Sequence, residues 1–329
     1  MSSSDPRVAL VGVGYWGPNL ARNFHELGSL DLVCDRNPAM LERMRERFPG
    51  IRTTDRLEAV LADPAIDGVV LATPAPTHHP LARQALEAGK HVMVEKPLAL
   101  SQREADDLAK LAVARERILM VGHILVYHPA VEALVSLVRE GALGEVKHVR
   151  SERMSLGKLR HEENVLWSFG PHDASLLTEL VQGEPDHVQA FGHAILQPHI
   201  EDVVTVDVRY ASGVTAHLHL SWLEPTKRHR LTVIGTRQMA VFDDTLAEGK
   251  LRLYDSGFDH VDGIWSMRQN GETVISYEAG EPMKRETQHF LDCIRTGLQP
   301  RTDGASGARV LGILERAQAC LTQMQGASC

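Results

Sequence analysis

The chain has 329 residues, 43% of them hydrophobic and 24% charged, and a formal net charge of −8. Such a composition belongs to a soluble globular protein, and the length exceeds one ordinary core, so two domains are expected. An acidic balance without blocks of like charge excludes a nucleic-acid surface, and no run of about 18 apolar residues offers a membrane span.

The opening Met1-Ser-Ser-Ser-Asp-Pro-Arg7 lacks the apolar segment of a signal peptide. Four cysteines, Cys34, Cys293, Cys320 and Cys329, show no metal-ligand spacing. They read as reduced thiols of a cytoplasmic protein.

Residues 7–14 form a near-continuous apolar run, as a strand covered on both faces requires. It leads into Gly12-Val-Gly14-Tyr15-Trp16-Gly17, the pattern G-x-G-x-x-G. There the first glycine permits a tight turn, the second lets backbone approach a pyrophosphate, and the third allows close helix–strand packing. A helix is predicted from Trp16 to Leu27, stopped by Gly28. Its N-terminal amides and dipole would face the phosphates. Tyr15 and Trp16 are expected to pack on the cofactor or the core.

A second strand, Leu30 to Cys34, ends at Asp35, 23 positions after Gly12. A carboxylate at this spacing accepts hydrogen bonds from the ribose hydroxyls and repels a 2′-phosphate, which favours NAD. Arg36 beside it suits that phosphate, so NADP stays open. Capping of a helix from Pro38 is the other reading of Asp35.

The alternation continues through helices at Pro38–Phe48 and Leu57–Leu61 and a buried strand over Ile66–Ala72. The Pro-rich stretch Thr73-Pro74-Ala-Pro-Thr-His78-His-Pro80 is predicted to stay extended. A helix over Leu81–Ala88 follows, then the strand Val92–Val94, cut off by Glu95-Lys96-Pro97. Lysine at such a carboxyl end faces the crevice where open parallel sheets bind ligands. Ser101 and Glu104 form a capping box, and a last parallel strand spans Ile118–Gly122. Strands alternating with helices make a doubly wound Rossmann domain, placed at residues 1–124.

From residue 125 the pattern changes. A helix over Pro129–Arg139 precedes longer, alternating strands. Ala216, Leu218, Leu220 and Trp222 fall on one face of a strand, and Thr215, His217, His219 and Ser221 on the other. Further strands are predicted at 187–193, 203–210, 230–235, 239–243, 251–254 and 273–277. The fold class is thus α/β plus α+β, with a large, mostly antiparallel open sheet over residues 125–329. Helix Phe169–Leu180 should cover one sheet face, and the chain closes with helices at Met283–Arg295 and Ala305–Gln325. The uncovered, half-polar face predicts a homodimer or homotetramer. Of the seventeen histidines, His217 and His219 share a face without a third ligand at suitable spacing, so no metal is expected.

Glu95-Lys96-Pro97, the pair Gly122-His123, and Asn164-Val-Leu-Trp167-Ser168-Phe-Gly-Pro-His172-Asp173 occur in order behind the glycine pattern. Together with Glu286-x-x-x-Phe290 and Pro300-x-x-Asp303-Gly304, this set resembles the glucose-fructose oxidoreductase / inositol dehydrogenase / rhizopine-catabolism (Gfo/Idh/MocA) family over nearly the whole chain. Arg153-Met-Ser-Leu-Gly157 with Asn164–Trp167 and Pro171-His172-Asp173 is similar to the branch that oxidises C3 of UDP-N-acetylglucosamine-type sugars.

The resemblance implies an NAD-dependent sugar oxidoreductase. Lys96 and His172 would carry the proton chemistry, with Glu95, Thr73, Pro74 and His78 at the cofactor. Tyr127, Arg153, Asn164, Trp167 and Ser168 would lie toward a nucleotide-sugar substrate, Arg153 on its phosphates. Relatives carry an aspartate four residues before the motif histidine. Here that position is Ser168, which leaves the orientation of His172 to Asp173 or to water. A polyol dehydrogenase, a deoxysugar 3-ketoreductase and a non-catalytic dinucleotide-binding regulator are the other readings.

Overall fold

The computed structural model describes residues 5–157 and 159–326; residues 1–4 and Cys329 lie outside the described residues. Two compact units divide it. The first runs to Tyr127 and resumes over Gly280–Leu311, and the second holds His128–Ala279 and resumes at Gly312.

The first unit opens β1 (Val8–Val11), α1 (Gly17–Glu26), β2 (Leu30–Cys34), α2 (Pro38–Arg47), β3 (Arg52–Thr54), α3 (Leu57–Ala62). It continues β4 (Gly68–Leu71), α4 (His78–Glu87), β5 (His91–Glu95), α5 (Gln102–Ala114), β6 (Leu119–Gly122). The six strands are parallel in the order β3-β2-β1-β4-β5-β6. The order reverses between β1 and β4, the switch point where such sheets bind ligands. Every residue of β1, β4 and β6 is buried, which explains their unbroken apolar runs.

Two local expectations change. Strand β3 is only three residues long and lies at the sheet edge, so Arg52-Thr53-Thr54 carries no apolar signal. The stretch after β4 is helical: residues Ala75–Thr77 form a 3-10 turn and α4 already begins at His78. Pro80 then occupies the first helical turn, where a missing N–H costs nothing. Capping at α5 follows the sequence with one shift. The Ser101 hydroxyl accepts from the Glu104 amide at 3.2 Å, while the Glu104 carboxylate accepts from Leu100 rather than Ser101.

The second unit starts with α6 (Pro129–Arg139), β7 (Val146–Leu156), α7 (Val165–Leu180), β8 (Pro185–His193), β9 (Val203–Tyr210) and β10 (Thr215–Ser221). It goes on with β11 (Leu223–Gly235), β12 (Met239–Asp243), β13 (Leu251–Val261) and β14 (Ile264–Val274). The eight strands stand in the order β14-β13-β12-β11-β7-β10-β9-β8. All pairs are antiparallel except β7 with β10. Helix α7 packs on β7, β9 and β10, over the buried Leu218 and Leu220.

Helix α7 starts at Val165, four residues before the predicted position, because Asn164 caps it by accepting from the Trp167 amide at 3.3 Å. Ser221, expected on the open face with His217 and His219, is fully buried instead, and its hydroxyl accepts from Leu223. Strands β13 and β14 are longer than predicted and form one hairpin. Its two-residue loop, Asp262-Gly263, has positive φ at both positions, the geometry that Asp-Gly favours.

The chain ends with α8 (Pro282–Thr296) in the first unit and α9 (Gly304–Gly326). Helix α8 lies against α1, where Phe290 meets Phe24 edge to face at 6.4 Å.

Candidate active site

The glycine loop is shaped by backbone contacts. Gly12 has φ +90°, and a Cβ there would meet the Ala72 carbonyl oxygen at 2.7 Å. A Cβ on Gly17 would press into the Gly12 carbonyl oxygen. Gly14, between them, faces open space with no atom within 4 Å of an added Cβ. The loop thus leaves room at the one glycine whose task is to admit a phosphate. Helix α1 behind it has no acidic residue in its first turn and no side-chain cap, so its positive end is left for an anion. These features fit a dinucleotide.

Asp35 ties this loop to the end of β2. Its Oδ2 accepts from the Val13 amide at 2.8 Å, and Oδ1 accepts from the Asn37 amide at 2.8 Å. Asn37, not Asp35, caps α2. A carboxylate has about four acceptor positions, so two remain for ribose hydroxyls. Arg36 beside it is exposed. Tyr15, 92% exposed, stacks on Trp16 outside the core, with ring centroids 6.3 Å apart.

Thr73 and Pro74 follow β4 and lie against the glycine loop through the Gly12–Thr73 approach. His78 is buried and does not face a ligand. Its Nδ1 lies 2.7 Å from the Pro97 carbonyl oxygen and its Nε2 2.8 Å from that of Thr73. It therefore straps the loop after β4 to the turn after β5. Burial above all, and then the Lys96 charge, hold His78 below the usual histidine range, while the two carbonyls at its ring nitrogens pull the other way.

Lys96 sits at the carboxyl end of β5, half-buried, joined to Pro97 by a cis peptide. Its amide donates to Glu95 Oε2 at 3.2 Å. Glu95 itself is 8% exposed and points inward rather than toward a cofactor. Burial pushes its carboxyl up to about 7 against the opposing pull of the Lys96 charge, the Lys96 amide and the Trp16 side chain. His123, just after β6, is driven down to about 3 by burial and by the Lys96 charge, so it is neutral. Tyr127, expected at the substrate, is fully buried. Its hydroxyl bonds Thr302 Oγ1 at 2.8 Å, and Arg301 stacks 4.5 Å from its ring centroid.

In the second unit, two expected substrate residues, Arg153 and Asn164, turn out to be structural. Arg153 points beneath the sheet, where its Nε donates to Asp173 Oδ2 at 2.7 Å. Ser151 donates to the other oxygen of Asp173 at 2.6 Å. The side chains are 10% and 0% exposed, so this ion pair pins β7 to α7 in a dry interior. With both oxygens engaged, Asp173 does not orient His172. Asn164 caps α7 and donates to Glu201 at 2.6 Å and Gln318 at 3.0 Å. Trp167 donates its indole N–H to Gln318 at 3.1 Å.

His172 is half-buried in the middle of α7, not at its N-terminus. Ser168 lies one turn earlier on the same face and is buried. On the sheet's uncovered face, Arg150, Glu152, His217, His219, Glu224 and Arg228 line a groove. His217 Nδ1 is held by Asp207 at 2.8 Å.

Sequence reasoning gave one acidic residue of the first unit no role at the site. Glu286 on α8 is 0% exposed, and Glu95 lies close enough to raise it further above the carboxylate range to which burial has already lifted it. The signal was present: Glu286 falls on the same helical stripe as Met283, Thr287 and Phe290, all buried.

A Rossmann sheet with an open glycine cradle, a ribose-spaced aspartate and a lysine at the crevice defines an NAD-binding oxidoreductase. The sequence model described as "Oxidoreductase family, NAD-binding Rossmann fold" matches residues 6–123, and the "GFO/IDH/MocA C-terminal domain" matches residues 131–241. The chain belongs to the Gfo/Idh/MocA family. It is 29% identical to UDP-N-acetylglucosamine 3-dehydrogenase of Acidithiobacillus ferrooxidans, over 93% of this chain and 94% of that one. The solved structure of that enzyme superposes with a TM-score of 0.85 at 27% identity, covering 96% of this chain and 97% of its own. GenD2 from gentamicin A biosynthesis, solved in complex with NAD, gives 0.81 at 26% identity over 98% and 96%. The scyllo-inositol 2-dehydrogenase of Bacillus subtilis is 24% identical over 89% of this chain and 87% of its own.

The cradle geometry separates two glycines experimentally. Gly14→Val should fold with an unchanged thermal midpoint yet bind NAD at least about tenfold more weakly, since a site filled by a few carbons loses this much. Gly17→Ala should cost about 1–3 kcal/mol of stability, because its Cβ has nowhere to go. Calorimetric titration with NAD beside thermal unfolding reads both. Equal NAD affinity in Gly14→Val would remove the pyrophosphate from this loop.

Proposed function

We propose that this chain oxidises the C3 hydroxyl of UDP-N-acetylglucosamine or its uronate to the 3-keto sugar. The observation that carries the reading is Lys96 at the carboxyl end of β5, in the sheet whose glycine loop stands open at Gly14. The likeness to the UDP-N-acetylglucosamine enzyme over 93% of the chain supports the substrate class. NAD, when bound, accepts the hydride from the sugar carbon.

The chain's own residues handle the proton and the sugar. Lys96 takes the proton of the C3 hydroxyl through its amine, as a positioned base does. Strand β5 and the Glu95–Lys96 contact fix where that amine starts. His172 and Ser168, one helical turn apart, hydrogen-bond sugar hydroxyls, and Trp167 offers a flat apolar face to the ring. Arg153 has no part in this, since Asp173 holds it below the sheet. Asp35 holds the adenosine ribose and disfavours NADP.

The reading includes a second copy of the chain over the open sheet face, as a homodimer or homotetramer. The half-polar groove around His217 and His219 supports it. A cytoplasmic location is part of the same reading. None of the described helices is long and apolar enough to cross a membrane.

The test is a single turnover. Stoichiometric protein, NAD and a panel of UDP-sugars are mixed, and reduced nicotinamide fluorescence is followed beside the sugar's mass. Stoichiometric enzyme is needed because oxidation of a secondary alcohol by NAD is uphill. Loss of two hydrogens from UDP-N-acetylglucosamine with matching NAD reduction is the expected result. Reaction of free inositol or glucose alone would replace the nucleotide sugar by a polyol. Tight NAD binding with nothing oxidised would replace the enzyme by a dinucleotide-binding regulator.

A further inference from the structure

Behind Lys96 the first unit buries several polar atoms without a hydrogen-bond partner among the described residues. Glu95 Oε1, both carboxyl oxygens of Glu286 and His123 Nδ1 are inaccessible and have no hydrogen-bond partner among the described residues. The three residues are 8%, 0% and 2% exposed. Buried polar atoms are almost always paired, so four in one neighbourhood are an exception that needs a cause. The space is built in: a Cβ on Gly122 of β6 would touch Cδ and Oε1 of Glu95 at 3.3 Å. Glycine there leaves the carboxyl its room.

The charged and titratable groups around the pair are few. Glu95 faces Lys96 from its own turn, the Trp16 side chain from the residue before α1, and Glu286 from α8. Glu286 faces Glu95, and the buried Tyr127 phenol feels Glu286. No arginine neutralises either acid among the groups that act on them.

We propose that Glu95 and Glu286, bridged by buried water, form a proton-holding pair that takes up the hydroxyl proton received by Lys96. The proposal rests on the dehydrogenase reading above. Alcohol oxidation by NAD releases one proton. The C–H pair of electrons leaves as hydride for the nicotinamide, and the O–H electrons form the C=O bond. The hydroxyl proton moves to the neutral Lys96 amine, and from the ammonium to the Glu95 carboxylate. Glu286 enters each turnover protonated, releases that proton through the water to solvent and is reprotonated by Glu95, so one proton leaves per turnover and both acids return to their starting state. Water is a good bridge here because it satisfies several buried acceptors at once.

The sign of the pH dependence follows from the receiving group. Glu95, lifted to about 7 chiefly by burial, accepts a proton only above that value, so oxidation slows as the pH falls through it.

The experiment follows NAD reduction by rapid mixing with UDP-N-acetylglucosamine between about pH 6 and pH 9, in ordinary and heavy water. Wild type, Glu286→Gln and Glu95→Gln are compared, with NAD affinity as the check on folding. Glutamine matches a protonated acid in shape and charge but cannot pass a proton on. Glu286→Gln should keep its NAD affinity, lose at least about tenfold in oxidation rate and show a larger solvent isotope effect. Glu95→Gln should flatten the acid limb. Infrared spectra should show a protonated buried carboxyl at neutral pH that Glu286→Gln lacks. An unchanged rate and isotope effect in Glu286→Gln, or an ionised Glu286 at neutral pH, would overturn the pair. A wild type that shows the protonated carboxyl but oxidises no sugar would overturn the dehydrogenase reading instead.

Discussion

Lys96→Ala should bind NAD within a few-fold of wild type and oxidise sugar about a thousandfold more slowly, roughly 4 kcal/mol of lost transition-state stabilisation. Position is the reason. Lys96 is half-buried at the carboxyl end of β5, where open parallel sheets bind ligands, whereas Glu95 is buried. Lys96→Arg separates two roles for the amine. Arginine keeps the positive charge and the donors but stays protonated throughout the accessible pH range. If Lys96 serves as base, the arginine variant is as slow as alanine. Recovery to within tenfold of wild type would make Lys96 a hydrogen-bonding cation and move the base elsewhere. Single-turnover nicotinamide fluorescence, with NAD affinity measured separately, reads both variants.

Arg153→Ala should destabilise the protein by about 3–5 kcal/mol, because it strands the Asp173 carboxylate in a site with no water access. The Ser151 hydroxyl bond cannot compensate a buried full charge. Replacing both partners by apolar residues, as in Arg153→Met with Asp173→Leu, should recover most of the loss, since no charge is then buried. Urea unfolding of the single and double variants measures the difference. The sugar-binding assay alone would mislead, as a partly unfolded Arg153→Ala protein loses activity for any substrate. A cost below about 1 kcal/mol together with a raised KM for the UDP-sugar would return Arg153 to the substrate.

The contrast between these two residues shows what a linear sequence discloses. Gly12, Gly14, Gly17 and Asp35 act through backbone geometry at fixed short spacings, and the structure puts them together as read. The long-period strands β9 and β12 appear with the predicted limits because one face of each is buried. Arg153, Asn164 and Tyr127 fail as predicted substrate contacts for a common reason. Their partners, Asp173, Gln318 and Thr302, lie 20, 154 and 175 positions away. A polar side chain in a motif declares its chemistry but not which distant group consumes it. Edge strand β3 and the start of α7 were hidden differently: the first buries nothing, and the second depends on a cap inside a motif that resembled a binding site. The Asp262-Gly263 turn was legible and passed over, because the exposed Phe258, Ile264 and Trp265 around it broke the alternation.

The order of strands in the second unit also bears on how the chain reaches its structure. Strand β7 is the first of the eight to be synthesised, yet its neighbours are β10 and β11. His148 pairs with Thr215, and Arg153 with His229. The middle of the sheet therefore waits for residues more than sixty positions downstream, while β8, β9 and β10 can meet as a local meander at once. Closing such distant pairs costs chain entropy before any contact repays it, which slows collapse. Until it happens, β7 is an open edge with two unpaired sides. The charged Lys147, Arg150 and Glu152 along it then serve a second end: charges along an unpaired edge keep nascent chains from joining one another.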